Sequence, residues 1–328
     1  MTWLTEIQWI LLHNRLAQHA PDRAAEMAIS LAKIHLLLQE TLVAGILLAL
    51  LLAAGTVQAK TTQPSVLVWD IDQDHVVMGQ NLNTIRSIAS ITKIMTAMVT
   101  LRHDGDLDRR IMVGAASHLG AGRHSRRDVI TAMLVRSDNE AAEALARDYP
   151  GGRDAFIRAM NHQARAIGLD HARFHDASGL HAGNRATAGE VADLMVQSLK
   201  YPIIGDISVQ RQALFEQNRG GRIRQIVLPN TNRPLLYQFD SIIASKTGFT
   251  RVAGWCVGLV VQRGDRRVAI VVLGADSKQQ RFDITQELVY NQLRDAEVDQ
   301  RQIKIKQETP KQATSTSWWD RMRTWIRP

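Results

Sequence analysis

Hydrophobic positions alternate with period two near both ends of the main body of the chain and recur with period near 3.6 between them. Ser65–Asp70 and His75–Met78 alternate on either side of Gln73-Asp74 and predict a hairpin. Ile91, Ile94, Met95 and Met98 stand at i, i+3, i+4 and i+7, the spacing of an amphipathic helix. Val129–Val135 and Ala141–Ala146 predict two further helices, broken at Ser137-Asp138-Asn139. Thr187 and Glu190 have capping-box spacing and predict a helix through Leu199. Ser241–Thr247, Trp255–Val261 and Arg267–Leu273 predict strands, the last two joined over Gly264-Asp265, and Phe282, Leu288, Val289 and Leu293 mark a closing helix. Strands at both ends that enclose helices do not make a simple βαβ series. They predict an α/β (α+β) domain in which one sheet is assembled from both ends, with helices on its faces.

The ends of the chain read differently. Thr41–Ala59 carries no charge and Leu42–Ala54 is almost wholly aliphatic, with Val57-Gln58-Ala59 placing small residues at −3 and −1. This suits a signal-peptide core with cleavage after Ala59, and hence export. An uncleaved signal anchor is the alternative reading. Met27 gives a more ordinary start than Met1, and residues 1–26 receive no functional reading. Gln302–Ser317 is polar and unpatterned, a linker. After it Trp318, Met322, Trp325 and Ile326 share one helical face while Arg321, Arg323 and Arg327 fill the rest. That pattern suits a short basic segment lying on an anionic membrane, with a disordered basic end or a patch docked on the domain as the alternatives. The expected organisation is a lead and signal at 1–59, one domain at 60–300, and a basic linker and tail at 301–328.

Composition narrows the function classes. Apolar content of 45% and charged content of 22% exclude wholesale disorder. The net charge of +8 is uneven: residues 301–328 hold seven Lys or Arg against Glu308 and Asp320. Zinc-finger spacing and RRM-like aromatic motifs are both missing, which argues against nucleic acid as a partner. Cys256 is the only cysteine, so no intramolecular disulfide can form, and its apolar surroundings Gly254–Val261 predict a plain buried thiol. His171, His175 and His181 cluster, yet no HExxH and no further cysteine join them, so neither a metal nor another cofactor is expected.

Three short motifs carry the chemistry: Ser90-Ile91-Thr92-Lys93, Ser137-Asp138-Asn139 and Lys246-Thr247-Gly248. Alone each is weak; roughly one SxxK is expected by chance in a chain this long, and Ser30-Leu31-Ala32-Lys33 is such a match. Context separates them. Ser90 opens the amphipathic helix, where free N–H groups favour developing negative charge. Lys93 falls one turn later on the same face, within reach of the hydroxyl. An amine acts as a base near pH 7 only when burial or a nearby positive charge lowers its pKa, and Lys246 could supply that charge. Taken alone, Ser90 would instead be an ordinary helix cap and Lys93 a solvated charge.

The set SxxK, SDN and KTG resembles the serine penicillin-binding proteins and class A β-lactamases. Arg86–Val99, Met133–Ala146, Asp148–Met160 and Ser245–Gly254 are similar to the low-molecular-mass D,D-peptidases. The stretches Arg147–Gly152 and Lys246–Thr250 look most like their periplasmic D-alanyl-D-alanine endopeptidase branch. The resemblance implies a β-lactamase/transpeptidase-like fold, a five-stranded antiparallel sheet with helices on both faces. It implies Ser90 as acylated nucleophile, Lys93 as its proton acceptor, and Ser137 as proton relay to the leaving amine. Asn139 would bond the substrate backbone, Lys246 and Thr247 would hold the substrate carboxylate, and Gly248 would let substrate lie against the strand. The N–H groups of Ser90 and Phe249 would form an oxyanion hole. The implied partners are peptidoglycan peptide stems, with β-lactams as inhibitors, and the implied place of action is the periplasm. The ExxLN-type glutamate loop of class A β-lactamases does not occur between the second and third motifs. Asp176-Ala177-Ser178-Gly179-Leu180 stands there instead, similar to the peptidases' DPTGL-like segment with Ala177 in place of proline. A D-alanyl-D-alanine carboxypeptidase, a β-lactamase and a catalytically idle peptidoglycan-binding protein are the rival readings.

Overall fold

The computed structural model describes residues 63–219 and 222–293, together with isolated helical positions between Glu26 and Leu42. The chain divides into two units, Met1–Thr61 and Thr62–Pro328, and the second carries all that follows. The signal stretch beyond Leu42, the boundary expected at 300, and the tail around Trp318–Ile326 lie outside the described residues.

The predicted hairpin is β1 (Ser65–Asp70) and β2 (His75–Gln80). The three late strands are β9 (Ile242–Thr250), β10 (Gly254–Arg263) and β11 (Arg266–Ala275). They assemble as one antiparallel sheet in the order β2-β1-β11-β10-β9. β1 pairs with β11 from Ser65↔Leu273 to Asp70↔Val268, so the first and last strands of the domain lie side by side. Successive side chains of a strand point to opposite faces. Leu67, Ala269, Val271 and Leu273 accordingly join one hydrophobic core, while Val66, Val68, Val268, Ile270 and Val272 join a second. Both faces are covered, which is why β10 and β11 read as continuous apolar runs. Helix α5 (Ala188–Ser198) covers the first face; a Cβ placed at Gly258 would stand 3.1 Å from Met195 Cγ. Helix α8 (Lys278–Leu293) seals the second face through Ile284, Leu288 and Val289.

Between the early and late strands lies the helical region. Helix α1 (Thr92–His103) follows a single 3-10 turn at Ala89–Ile91. Helices α2 (Arg126–Val135) and α3 (Asn139–Asp148) meet at the predicted break, and α4 (Gly152–Ala166) follows. The sequence predicts α1 as amphipathic, but every residue from Thr92 to Thr100 is buried. The reason is tertiary: α2, α3, α4 and α5 all pack against it. Its polar residues are satisfied inside the core, Thr96 Oγ1 donating to Ala177 O at 2.7 Å and Thr100 Oγ1 to Thr96 O at 2.8 Å.

Several elements escaped the sequence pattern. Hairpin β7 (Gln212–Arg219) and β8 (Arg222–Pro229), hairpin β4 (Arg110–Val113) and β5 (Gly122–Ser125), and the two-residue pair β3 (Arg86–Ser87) with β6 (Arg185–Ala186) are short or largely polar. Helices α6 (Pro202–Ser208) and α7 (Arg233–Gln238) are two turns or less.

The capping box at α5 forms as predicted. Thr187 Oγ1 accepts from Glu190 N at 3.2 Å, and Glu190 Oε2 accepts from Thr187 N at 2.8 Å. Glu190 Oε1 also accepts from His171 N and Ala172 N, tying the preceding loop to the helix. Thr187→Ala should therefore cost about 1 kcal/mol. Urea denaturation should show a lower midpoint with an unchanged slope; an unchanged midpoint would mean the cap contributes nothing.

Candidate active site

The chain enters the site through strained backbone. Ala89 has φ of +46°, a left-handed conformation unfavourable for a residue with a Cβ. Ser90 follows within the 3-10 turn rather than in α1 itself. Two glycines from distant segments close on this turn. A Cβ at Gly179 would stand 2.0 Å from Ala89 O, and one at Gly248 would stand 2.8 Å from Ile88 O and 3.0 Å from Ser90 N. Only glycine permits both approaches. The missing side chain of Gly248 thus makes room for the serine turn.

Lys93 lies one turn beyond Ser90 and is fully buried. Its Nζ is 2.9 Å from Ser90 Oγ, 2.8 Å from Asn139 Oδ1 and 2.5 Å from Ser178 O. When protonated it donates to all three. When neutral, its two N–H groups can serve Asn139 and Ser178, leaving a lone pair to accept from the Ser90 hydroxyl. Burial pushes the Lys93 amine down to about 7, against the opposing pull of Asp176, Asp138 and Glu143. The sequence pointed to either burial or the Lys246 charge as the cause; burial is the one that acts on Lys93.

The Ser178 carbonyl is held by a stapled loop. Asp176 Oδ1 accepts from Gly179 N at 2.6 Å and Oδ2 from His181 N at 2.6 Å. Asn184 Nδ2 donates to Asp176 Oδ1 and to Thr92 Oγ1, fastening the loop to α1, and Asn184 O receives Ile88 N. Asp176 and Asn184 are positioning residues that spacing could not disclose, because their partners are largely backbone.

Ser137 occupies the α2–α3 break with φ of +64°, and its Oγ accepts from Lys246 Nζ at 2.9 Å. Asp138 caps α3, accepting from Ala141 N at 3.0 Å. Its second oxygen accepts from Ser117 Oγ and His118 N. Burial would raise the Asp138 carboxyl, but the bonds from Ala141, His118 and Ser117 outweigh it and hold the pKa below the usual value. Asn139 gives its Oδ1 to Lys93, so only its NH2 group remains to donate elsewhere.

Lys246 and Thr247 sit on β9, where Lys246 pairs with Gly258 and Gly248 with Cys256. Lys246 is 1% exposed. Burial, then the charges of Lys93 and Arg281, hold its amine well below the ordinary lysine range. Thr247 Oγ1 donates to Thr231 Oγ1 at 2.7 Å. Phe249 is half exposed and stacks on Trp255 with ring centroids 4.1 Å apart.

These residues meet at a cleft of about 490 Å³. Ser90, Ser137, Thr247, Gly248 and Phe249 line it, and the buried amines of Lys93 and Lys246 contact its serines from behind. Arg281, which the sequence did not single out, also lines it. Arg281 is 4% exposed, lies 5.8 Å from the Trp255 ring centroid, and is lowered to about 10 by burial. Its position on α8 is remote from all three motifs in sequence, so only the fold reveals it.

The other candidates resolve simply. Cys256 is buried, and burial pushes its thiol up to about 11, an unreactive group. His175 and His181 stack with centroids 4.7 Å apart. Among the described residues no group of three His, Cys, Asp or Glu is arranged for a metal ion.

A mixed domain built on a five-stranded antiparallel sheet, with a serine at the start of a buried helix and a near-neutral lysine behind it, defines a serine acyl-transfer enzyme. Residues 53–277 match the D-alanyl-D-alanine carboxypeptidase family of peptidases, and the chain belongs to that family. It is 33% identical over 237 residues to a D-alanyl-D-alanine endopeptidase of Escherichia coli, covering 69% of this chain and 75% of that protein. It is 34% identical, with the same coverage, to a D-alanyl-D-alanine endopeptidase of Pseudomonas aeruginosa. Its fold is similar to the crystal structure of a Streptomyces DD-transpeptidase, with a TM-score of 0.63 at 25% identity over 69% of this chain and 95% of that one. A penicillin-binding protein of Listeria monocytogenes in its cefotaxime-bound form is also similar, with a TM-score of 0.60 at 26% identity and the same coverage. The protein is a serine peptidase, as the motifs predict.

The close approach at Gly179 makes a clean test. Gly179 and Gly168 have φ of +83° and +82°, but nothing lies within 4 Å of a Cβ at Gly168. Both alanine variants pay about 1–2 kcal/mol for the left-handed conformation. Gly179→Ala should be less stable than Gly168→Ala by a further 1 kcal/mol or more, from overpacking against Ala89. Equal denaturation midpoints would show that the turn is not clamped there.

Proposed function

We propose that this protein cleaves D-alanyl cross-links between peptidoglycan peptide stems through an acyl-enzyme on Ser90. The observation that carries the chemistry is Lys93 Nζ, fully buried, 2.9 Å from Ser90 Oγ and lowered to about 7. Neutral Lys93 takes the Ser90 proton as Oγ attacks the D-alanyl carbonyl. The carbonyl oxygen gathers negative charge toward the N–H groups of Ser90 and Phe249, each such donor stabilising the transition state by about 2.7–4 kcal/mol. As the intermediate collapses, Ser137, bonded to Lys246 Nζ, passes a proton to the departing amine. Asn139 aligns the substrate backbone through its NH2 group. Lys246, Thr247 and Arg281 hold the carboxylate next to the scissile amide. Water then attacks the ester and gives a proton to the Ser137–Lys246 pair, and Lys93 returns its proton to Ser90 as the ester bond breaks. The same machinery acylates with penicillins.

The endopeptidase reading rests on the relatives in Escherichia coli and Pseudomonas aeruginosa, both named for that activity. The carboxypeptidase DacF of Bacillus subtilis is 25% identical over 231 residues, and trimming of pentapeptide stems is the second reading. Both reactions use one acyl-enzyme and both leaving groups carry a carboxylate. We further infer export to the periplasm from the signal-like stretch ending at Ala59, and contact of the basic tail with anionic membrane. Truncation after Gln300 should then abolish sedimentation with anionic liposomes; undiminished sedimentation would remove the tail from the account.

Labelled penicillin should modify the protein at Ser90 alone, and Ser90→Ala should abolish labelling without lowering the melting temperature. An adduct mapped to Ser137 would overturn the assignment. Because the neutral amine is the active form, the second-order rate of acylation should fall about tenfold per pH unit below about 7 and level off above it. A rate independent of pH between 5 and 8 would exclude Lys93 as the base.

The substrate is settled by chromatography of cross-linked dimers and pentapeptide monomers after incubation with the protein. Dimers should be converted to monomers, with slower loss of D-alanine from pentapeptides. Intact dimers beside trimmed pentapeptides would make it a carboxypeptidase.

A further inference from the structure

The cleft carries more positive charge than one substrate carboxylate requires. Besides Arg281, three cations line it: Arg136, Arg233 and Lys278, and no acidic side chain does. All three are exposed. Some surface arginines of the domain are paired, Arg147 with Glu140, Arg153 with Glu143 and Arg267 with Asp72. Arg127, Arg158, Arg165 and Arg251 have no carboxylate partner among the described residues; what sets the cleft apart is three cations on one rim. Among the described residues the side chains of Arg136, Arg233 and Lys278 have no carboxylate or hydrogen-bond partner, although Arg233 lies 5.9 Å from the Tyr237 ring centroid.

Their places in the chain put them around one end of the cleft. Arg136 directly precedes Ser137. Thr231 N donates to Val135 O at 3.0 Å, which draws the Asn230–Arg233 segment alongside Arg136. Pro229 and Pro234 bracket that segment and stiffen it. Lys278, which also lines the cleft, opens α8 one turn before Arg281. Ser137, Thr247 and Arg281 are the groups that face the departing amine and its carboxylate under the proposed chemistry, and Thr231 bonds to Thr247, so the three cations border the leaving-group side. A terminal D-alanine is too small to reach beyond Arg281. The leaving group of a cross-link is a whole second stem, which brings further free carboxylates from its acidic residues and its C-terminus.

We propose that Arg136, Arg233 and Lys278 form a carboxylate-binding rim that holds the second, leaving peptide stem and so favours cross-linked over monomeric substrate. This rests on the endopeptidase reading and deepens it. Exposed ion pairs are individually weak, a factor of roughly 1.4–5 in affinity each, so the rim acts as a set. Such charges are screened by salt over about 10 Å at 0.1 M, which gives the rim a signature that shape alone would lack.

The test compares kcat/KM on cross-linked dimers with kcat/KM on pentapeptide monomers for the full mature protein. The triple variant Arg136→Gln, Arg233→Gln, Lys278→Gln should lower the dimer-to-monomer ratio about tenfold. Arg158→Gln, an exposed cation on α4 away from the cleft, should leave the ratio unchanged. Dimers whose free carboxylates on the leaving stem are amidated should lose the same factor with the unaltered protein. Raising salt from 0.05 to 0.5 M should lower the unaltered protein's ratio more than the triple variant's. An unchanged ratio in the triple variant, while the unaltered protein cleaves dimers, overturns the rim and leaves the endopeptidase reading standing. An unaltered protein that trims pentapeptides but leaves dimers intact overturns both.

Discussion

The burial of a single amine organises this domain. Removing a charged ammonium from water costs several kcal/mol even after relaxation, a cost that Lys93 reduces by holding its proton loosely. A neutral amine in a core still needs partners. Ser90, Asn139 and the Ser178 carbonyl come from three separate segments, and each must be held to within a few tenths of an ångström. The N-cap by Asp138, the Asp176–Asn184 staple and the glycine contacts on Ala89 are all means to that end. Loss of one would strand a buried polar group on Lys93.

Strain is concentrated where the motifs meet. Ala89 and Ser137, both residues with a Cβ, adopt positive φ on either side of the cleft. Left-handed conformations of this kind cost about 1–2 kcal/mol each. They persist because surrounding contacts over-determine them: Gly179 and Gly248 pack on one, and the ends of α2 and α3 with Lys246 fix the other. The sheet supplies the rigidity. β9 presents Lys246 and Thr247 from its middle, and its neighbour β10 is buried on both faces.

The sequence disclosed the parts whose signal is local. The sheet strands β1, β9, β10 and β11 and the capped helix α5 follow from periodicity and turn chemistry, and the three motifs stand out through order and context. What stayed hidden depends on contacts between distant segments. The β7–β8 hairpin alternates weakly because Leu214 and Val227 face solvent while Ala213 and Leu228 are buried. The all-round burial of α1 could not be read from one stripe of apolar residues. Asn184, Thr231 and Arg281 act through partners 8 to 92 positions away or through backbone, so no spacing rule marks them, and Asp176 is marked only by the likeness of its segment to the peptidases. Cys256 shows the converse: a conspicuous residue type whose burial accounts for it.

The two buried lysines are best understood as a pair. Lys246 is lowered by burial and then by the charges of Lys93 and Arg281, whereas burial alone lowers Lys93. Among the described residues no carboxylate bonds to either amine, and burial keeps both weakly basic. Under the proposed chemistry a substrate carboxylate beside Thr247 and Arg281 would bring negative charge near Lys246 and favour its protonated form. Ser137 bonds to Lys246 while Ser90 bonds to Lys93. The proton for the leaving amine and the proton from Ser90 would therefore travel through separate amines, each held by its own serine.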